Sequence, residues 1–238
     1  MLMVLLRAAT RVWVSTPSFL PMVRPFGPRR AVPYTWLPIP SPIPRGDTAA
    51  EVRDRRRALA GAHPTIGYFG TASPLVTGVL EEVIAGIAKR RPDVKFVLLG
   101  RGTEGLARTL ESETPGLAQA IVARGMRSTD DLSALIQCCD LFVQPYADGV
   151  SARRTTLMAL LDHGRAIVAS RGIRTEEGWQ EAVHLTAHGD ATAMVEAALT
   201  LLDAPARRAE LSNAASRLYA DRFSVGRALD VLMGAPDA

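Results

Sequence analysis

The sequence predicts an α/β domain built on a doubly wound, Rossmann-like parallel sheet, preceded by a remnant of another unit. Two observations predict it. From His63 onward, short β-rich runs alternate with segments of helical period, and most of the early strand-like runs end in a loop that carries glycine. Repeated β-loop-α units of this kind imply parallel strands covered by helices on both faces.

The elements justify that reading in order. The opening run MLMVLLRAATRVWV is interrupted by Arg7 and Arg11, so it reads as neither a secretory signal nor a membrane span, and Arg11 to Ser15 is a short β-like run. Between Pro33 and Pro44, PYTWLPIPSPIP holds five prolines in twelve residues. Prolines at that density disfavour helix and central strand alike and predict an extended, stiff interdomain hinge. TAAEVRDRRRALA, from Thr48 to Ala60, is a charged helix facing solvent on most sides. TIGYF at 65 to 69 is a strand, and Gly78 to Arg90 a helix with Val79, Val83 and Ile87 on one face. VKFVLL at 94 to 99 is the next strand, followed by a helix over 103 to 111 and the strand AIVA at 120 to 123. Ser128 caps a helix over 129 to 138, and DLFVQ at 140 to 144 is a strand. A helix over Thr155 to His163, strands AIVAS at 166 to 170 and VHLT at 183 to 186, and helices over 190 to 203 and 205 to 221 complete the series.

Composition narrows the function. The chain has 238 residues, 47% of them apolar, enough for a sizeable core and against disorder. Its 28 basic residues outnumber 24 acidic ones, an excess too small to make nucleic acid or an anionic membrane the default partner. Lys89 and Lys95 are the only lysines, so the positive charge is almost all arginine and is spread along the chain. Cys138 and Cys139 are neighbours in an apolar stretch, a poor site for a disulfide, which suggests a reducing, cytoplasmic setting. His63, His163, His184 and His188 show no metal-ligand spacing.

In a doubly wound sheet the ligand sits beyond the carboxyl ends of the strands, beside helix N-termini that attract anions. That rule selects four loops: Gly70-Thr71-Ala72-Ser73, Gly100-Arg101-Gly102, Gly125-Met126-Arg127, and Pro145 to Ser151 with Asp148, Gly149 and Val150. Glycine there permits close backbone approach to a nucleotide, although strand-to-helix turns use glycine in any case.

The segment DLFVQPYADGVSARRTTLMALLDHGRAIVAS, Asp140 to Ser170, resembles the donor-binding motif of family 4 glycosyltransferases of the GT-B fold. Its landmarks are a strand ending at Pro145, the loop Tyr146 to Arg154, a helix ending at Gly164, and the strand Ile167 to Ser170. Gly70, Gly100-Arg101-Gly102, and Gly125 followed by Ser128-Thr129-Asp130-Asp131 stand in the order that family uses. The resemblance covers residues 63 to about 235. It implies transfer of a sugar from a nucleotide-diphosphate sugar, with retention at the anomeric carbon, in a cleft between two Rossmann domains. It also implies no metal and no cofactor beyond the donor substrate.

Two departures stand out. The motif's two glutamates, one facing the donor sugar and one the ribose, fall by register on Ser151 and Ala159, and the cations of the first loop on Thr71 and Thr77. Arg153 and Arg154, with Thr155 and Thr156 at the start of the motif helix, offer compensation, because guanidiniums there would join free N–H groups in holding a diphosphate. Asp148 is a candidate sugar contact or a turn residue. Glu176 and Glu177 lie near a place where the family often has a glutamate, at poor spacing.

The expected organisation is residues 1–44 as the tail of a truncated N-terminal domain plus hinge, and 45–238 as the nucleotide-sugar-binding domain. The acceptor is unidentified, a missing N-terminal half or partner chain would supply its site, and membrane association is at most peripheral. The competing expectation is a catalytically silent nucleotide-binding or scaffold module of the same fold, favoured by the loss of both glutamates.

Overall fold

The computed structural model describes residues 2–27 and 32–234; residues 28–31, inside the expected N-terminal tail, lie outside the described residues. The chain opens with α1 (Leu2–Ala8), β1 (Val12–Val14), α2 (Leu20–Val23) and β2 (Tyr34–Trp36). β1 and β2 pair in parallel, Val12 opposite Tyr34 and Val14 opposite Trp36.

β2 is a difference from the proline-based expectation. It occupies a proline-free window, and Pro33, which has no N–H to donate, contributes its carbonyl, accepting from Val12 N at 3.0 Å. The rest of the proline run is extended and lies against the main domain. Ser41 N donates to Tyr219 Oη at 3.0 Å, Ile43 is buried, and Trp36 meets Phe223 edge-on with centroids 5.8 Å apart.

The main domain follows as α3 (Ala49–Ala60), β3 (Thr65–Phe69), α4 (Pro74–Arg90), β4 (Lys95–Leu99), α5 (Thr103–Glu113), β5 (Ile121–Arg124), α6 (Thr129–Gln137), β6 (Leu141–Gln144), α7 (Thr155–Asp162), β7 (Ala166–Ser170), β8 (His184–Thr186), α8 (Ala191–Asp203), α9 (Pro205–Arg222) and α10 (Val225–Met233). β3 to β8 form one six-stranded parallel sheet in the order β5-β4-β3-β6-β7-β8. Each strand from 65 to 170 lies close to its expected place. α4 starts earlier than expected, because Ser73 and Pro74 supply an N-cap position and an N1 proline. α10 is an addition, begun by the Ser224 side chain accepting from Arg227 N.

Two cores sandwich the sheet, as the alternation of side chains along each strand requires. In β4, Phe96 and Leu98 join the core beneath α4 and α8, whereas Val97 and Leu99 join the one beneath α6, α7 and α9. Gly67 in β3 pairs with Phe142 in β6, and a Cβ on Gly67 would stand 2.2 Å from the Phe142 ring. The glycine thus makes room for a fully buried aromatic at the centre of the sheet.

α3 is capped as its sequence suggests, Thr48 and Glu51 forming a capping box. Arg56 anchors it to the sheet with two bonds to Asp140, at 2.9 and 3.0 Å, and a third to the Thr65 hydroxyl. Burial works to raise the Asp140 carboxyl, but Arg56 and the Thr65 N–H hold it below the usual carboxylate range.

Candidate functional site

The strand order reverses between β3 and β6, where a doubly wound sheet opens a crevice at its carboxyl edge. The loop after β3 and the loop after β6 meet there around a cavity of about 280 Å³. Of the residues selected from sequence, Gly70, Thr71, Arg153, Arg154, Thr155 and Thr156 line it, joined by Tyr68, Ser73, Val76 and Tyr146. A larger groove of about 390 Å³ between α3 and α6 lies away from this switch point, and its Arg55 is already tied to Asp131 at 3.0 Å.

Two helix N-termini reach the cavity, α4 through Ser73 and Val76 and α7 through Thr155 and Thr156. Neither has a side-chain cap or an acidic residue in its first turn. α3, α6, α8 and α10 are capped by Thr48, Ser128, Asp190 and Ser224, while α5 and α9, away from the cavity, also lack a side-chain cap. Uncapped first-turn N–H groups carry the positive end of the helix dipole, so the cavity favours an anion before any side chain is considered.

The other glycine loops serve the backbone of the first. Gly100 has φ +108°, and a Cβ on it would lie 2.3 Å from Gly70 O; a Cβ on Gly102 would lie 2.9 Å from Ala72 O. Gly70 N donates to Leu99 O at 3.0 Å and Ala72 N to Arg101 O at 2.8 Å. These glycines are required by loop-on-loop packing, whatever binds above them. Gly125 is buried against the Glu104 carboxylate, and Arg101 and Met126 are exposed; none of the three lines the cavity.

The loop after β6 is pinned on both sides. Gly149, at φ +90°, would place a Cβ 2.3 Å from Gly172 N, and Val150 N donates to Ser170 O at 3.0 Å. Asp148 pairs with Arg154 and, at 3.1 Å, with Arg174 Nε. Arg154 also lies over the Tyr146 ring, 4.6 Å from its centroid. Arg153 and Arg174 both approach the Phe19 ring, at 5.7 and 5.8 Å. Ser151 is fully buried and its hydroxyl has no partner; Ala159 is equally buried, in the core beneath α7.

Glu176 makes contacts that sequence spacing did not suggest. Its carboxylate accepts from the Thr16 hydroxyl at 2.6 Å, from Trp179 Nε1 at 3.0 Å and from Ala152 N at 3.3 Å, so it clamps the loop before α7 to the segment after β1. Glu177 is exposed. Tyr146 is the other residue missed; an aromatic side chain inside a polar loop was its one sequence signal. His163 lies away from the cavity, buried between Ser133 and Ala159 O. Among the described residues, no three His, Cys, Asp or Glu side chains gather as metal ligands, and no helix is long and apolar enough to cross a membrane.

Comparison with known proteins places this geometry. The profile of the family described as "Glycosyl transferases group 1" matches residues 63–204. No protein of curated function matches the sequence. Among solved structures, HepE from Anabaena, crystallised with UDP and glucose, superposes with a TM-score of 0.76 at 18% identity, covering 97% of this chain and 63% of that one. Sucrose-phosphate synthase from Thermosynechococcus elongatus gives 0.75 at 18% identity, over 97% of this chain and 59% of that one. The C-terminal domain of a group 1 glycosyl transferase, LpcC from Francisella tularensis, gives 0.60 at 15% identity, over 79% of this chain and 97% of that domain. At such identities the likeness establishes the fold, and the chain spans less than two thirds of the length of the first two proteins.

Proposed function

The chain belongs to the group 1 glycosyl transferases, and on that footing we propose that it is the donor-binding part of an enzyme moving a sugar from a nucleoside-diphosphate sugar to an acceptor, with retention at the anomeric carbon. One observation carries this reading: two uncapped helix N-termini and the guanidinium-bearing residues Arg153 and Arg154 share one cavity at the switch point. UDP in the HepE crystal makes uracil the first base to try.

The chemistry follows from charge. As the glycosidic bond to the diphosphate lengthens, negative charge grows on the leaving phosphate, and N–H groups and guanidiniums already in place stabilise it without reorganising. No side-chain nucleophile and no metal is needed for that role. In this reading Asp148 holds Arg154 and Arg174 in place, and the sugar and the base are met outside the cavity lining, by the Ser151 loop and by the backbone of loops 100–102 and 125–126. Residues 1–44 act as the end of an acceptor lobe and hinge, and 45–238 as the donor lobe. A complete acceptor lobe, in the same polypeptide or a partner, excludes water and orients the attacking hydroxyl. The work is done in the cytoplasm, at most at the periphery of a membrane and without nucleic acid.

A second reading, a nucleotide-binding module without turnover, is favoured by Ala159, which offers no polar group where the family's motif has a glutamate. Titration calorimetry with UDP, GDP and ADP tests both. Binding of one of them at micromolar to millimolar affinity supports a donor site, and absence of heat with all three removes it. Hydrolysis of the matching nucleotide-sugar then separates enzyme from silent module.

A further inference from the structure

One short turn of the N-terminal segment touches the loop before α7 at two consecutive residues. Thr16, itself buried, donates to Glu176, and the same carboxylate holds the N–H of Ala152. Three residues on, the Phe19 ring centroid lies 5.7 Å from the guanidinium carbon of Arg153 and 5.8 Å from that of Arg174. Phe19 N donates to Thr16 O at 3.1 Å, so both contacts belong to one closed turn.

Charge explains what the ring is for. Arg154 and Arg174 share the carboxylate of Asp148, whereas no carboxylate among the described residues pairs with Arg153, although Arg153 lines the cavity. An exposed arginine without an ionic partner keeps its rotamer freedom, and ordering it on a ligand costs entropy. An aromatic face restrains a guanidinium without consuming its N–H groups, since the contact uses the plane and hydrogen bonds use the edge. Phe19 also lines an apolar cavity of about 440 Å³ with Val14, Val23 and Leu37, so the ring is seated in the N-terminal segment while it touches the arginines of the main domain.

Resting on the donor-site reading above, we propose that Phe19 is a positioning residue of the donor site, holding Arg153 ready for the diphosphate from across the boundary between the N-terminal segment and the main domain. Docking of residues 16–19 and binding of the nucleotide then reinforce each other, as linkage requires when both favour one arrangement. A ligand on Arg153 tightens the turn against the loop, and detaching the turn weakens the ligand.

The test uses the full chain, UDP as probe and calorimetry for affinity. Phe19→Leu keeps an apolar side chain in the turn and removes the aromatic face, whereas Phe19→Trp keeps a face. The expected results are about threefold weaker UDP binding for Phe19→Leu, the size of one exposed cation–π contact, and wild-type binding for Phe19→Trp. Arg153→Ala should itself weaken binding, and adding Phe19→Leu to it should change nothing further, a result that a general loosening of the fold would not give. Equal UDP affinity in wild type and Phe19→Leu overturns the positioning role while leaving the donor site standing. A threefold loss that persists in the Arg153→Ala background also overturns it, because the ring then acts through something other than Arg153. If the wild type binds none of UDP, GDP and ADP, the donor-site reading fails and the role of Phe19 with it.

Discussion

Glu176 accepts a 2.6 Å hydrogen bond from the hydroxyl of Thr16, a residue 160 positions earlier in the chain. The same carboxylate takes the Ala152 N–H and the Trp179 indole, so one side chain joins the segment after β1 to the loop that carries Arg153 and Arg154. Hydrogen bonds to a charged group contribute roughly 1.5–3 kcal/mol each when shielded from water, and less here because Glu176 is partly exposed. Glu176→Ala should cost about 2 kcal/mol overall and weaken UDP binding, with Glu176→Gln intermediate. Urea unfolding of the three proteins checks this, and indistinguishable midpoints would remove the clamp.

Arg154 is shared between Asp148 and the cavity. A diphosphate entering the site competes with that carboxylate for the guanidinium and is repelled by it. Asp148→Asn should therefore tighten UDP binding several-fold, while Arg153→Ala with Arg154→Ala should weaken it by about two orders of magnitude or abolish it. Calorimetry at low and high salt measures both, and the salt dependence should shrink in the double alanine variant. Unchanged affinity on loss of both arginines contradicts a diphosphate site there.

Gly67 faces Phe142 so closely that any Cβ forces the ring to move. Gly67→Ala should destabilise the chain by about 1–3 kcal/mol through overpacking. Phe142→Leu in the same chain should recover part of that loss, giving a coupling of about 1 kcal/mol in a double-mutant cycle. Strict additivity would show that the contact is not the cause.

His163 links α6 and α7 in its neutral form. Its Nδ1 sits 2.8 Å from Ala159 O, which requires an N–H there, so Nε2 must accept from the Ser133 hydroxyl at 3.0 Å. Ser133 Oγ in turn accepts from Gly46 N and Gln137 Nε2, both at 3.4 Å. Burial lowers the His163 pKa, opposed by the Ala159 carbonyl and Asp47 and aided by the charges of Arg165 and Arg45. The unfolded chain then binds the proton first, near pH 6.5, so this stabilisation is complete above that value and is lost as pH falls through the lower folded value. Urea midpoints at pH 5 and 7.5 should differ more for wild type than for His163→Gln. His184, lowered by burial and Arg207, has the same sign in both proteins and cancels from the comparison.

Much of the architecture was legible in the residues because its signals are local. The strands TIGYF and AIVAS were placed to the residue, and the Ser128 cap was found, since hydrophobic period and capping chemistry act over a few positions. α10 escaped although Ser224 caps it and Val225, Leu229 and Leu232 share one face, a face that remains exposed and buries little besides Ala228. β2 escaped because proline density described the whole segment and hid three residues that could pair.

The site divides along the same line. Arg153, Arg154, Thr155 and Thr156 could be nominated because a helix beginning after a strand puts its first turn at a predictable end of the sheet. That Gly100 and Gly102 are used by a neighbouring loop, that Arg154 shares Asp148 with Arg174, and that Glu176 reaches Thr16 could not be read in advance. Apart from the Arg154–Asp148 pair, those contacts join residues well separated along the chain. The glycine contacts depend on β4 lying beside β3 and the Asp148–Arg174 pair on β7 lying beside β6, adjacencies set by how whole layers bury their apolar faces and not by any short stretch of residues.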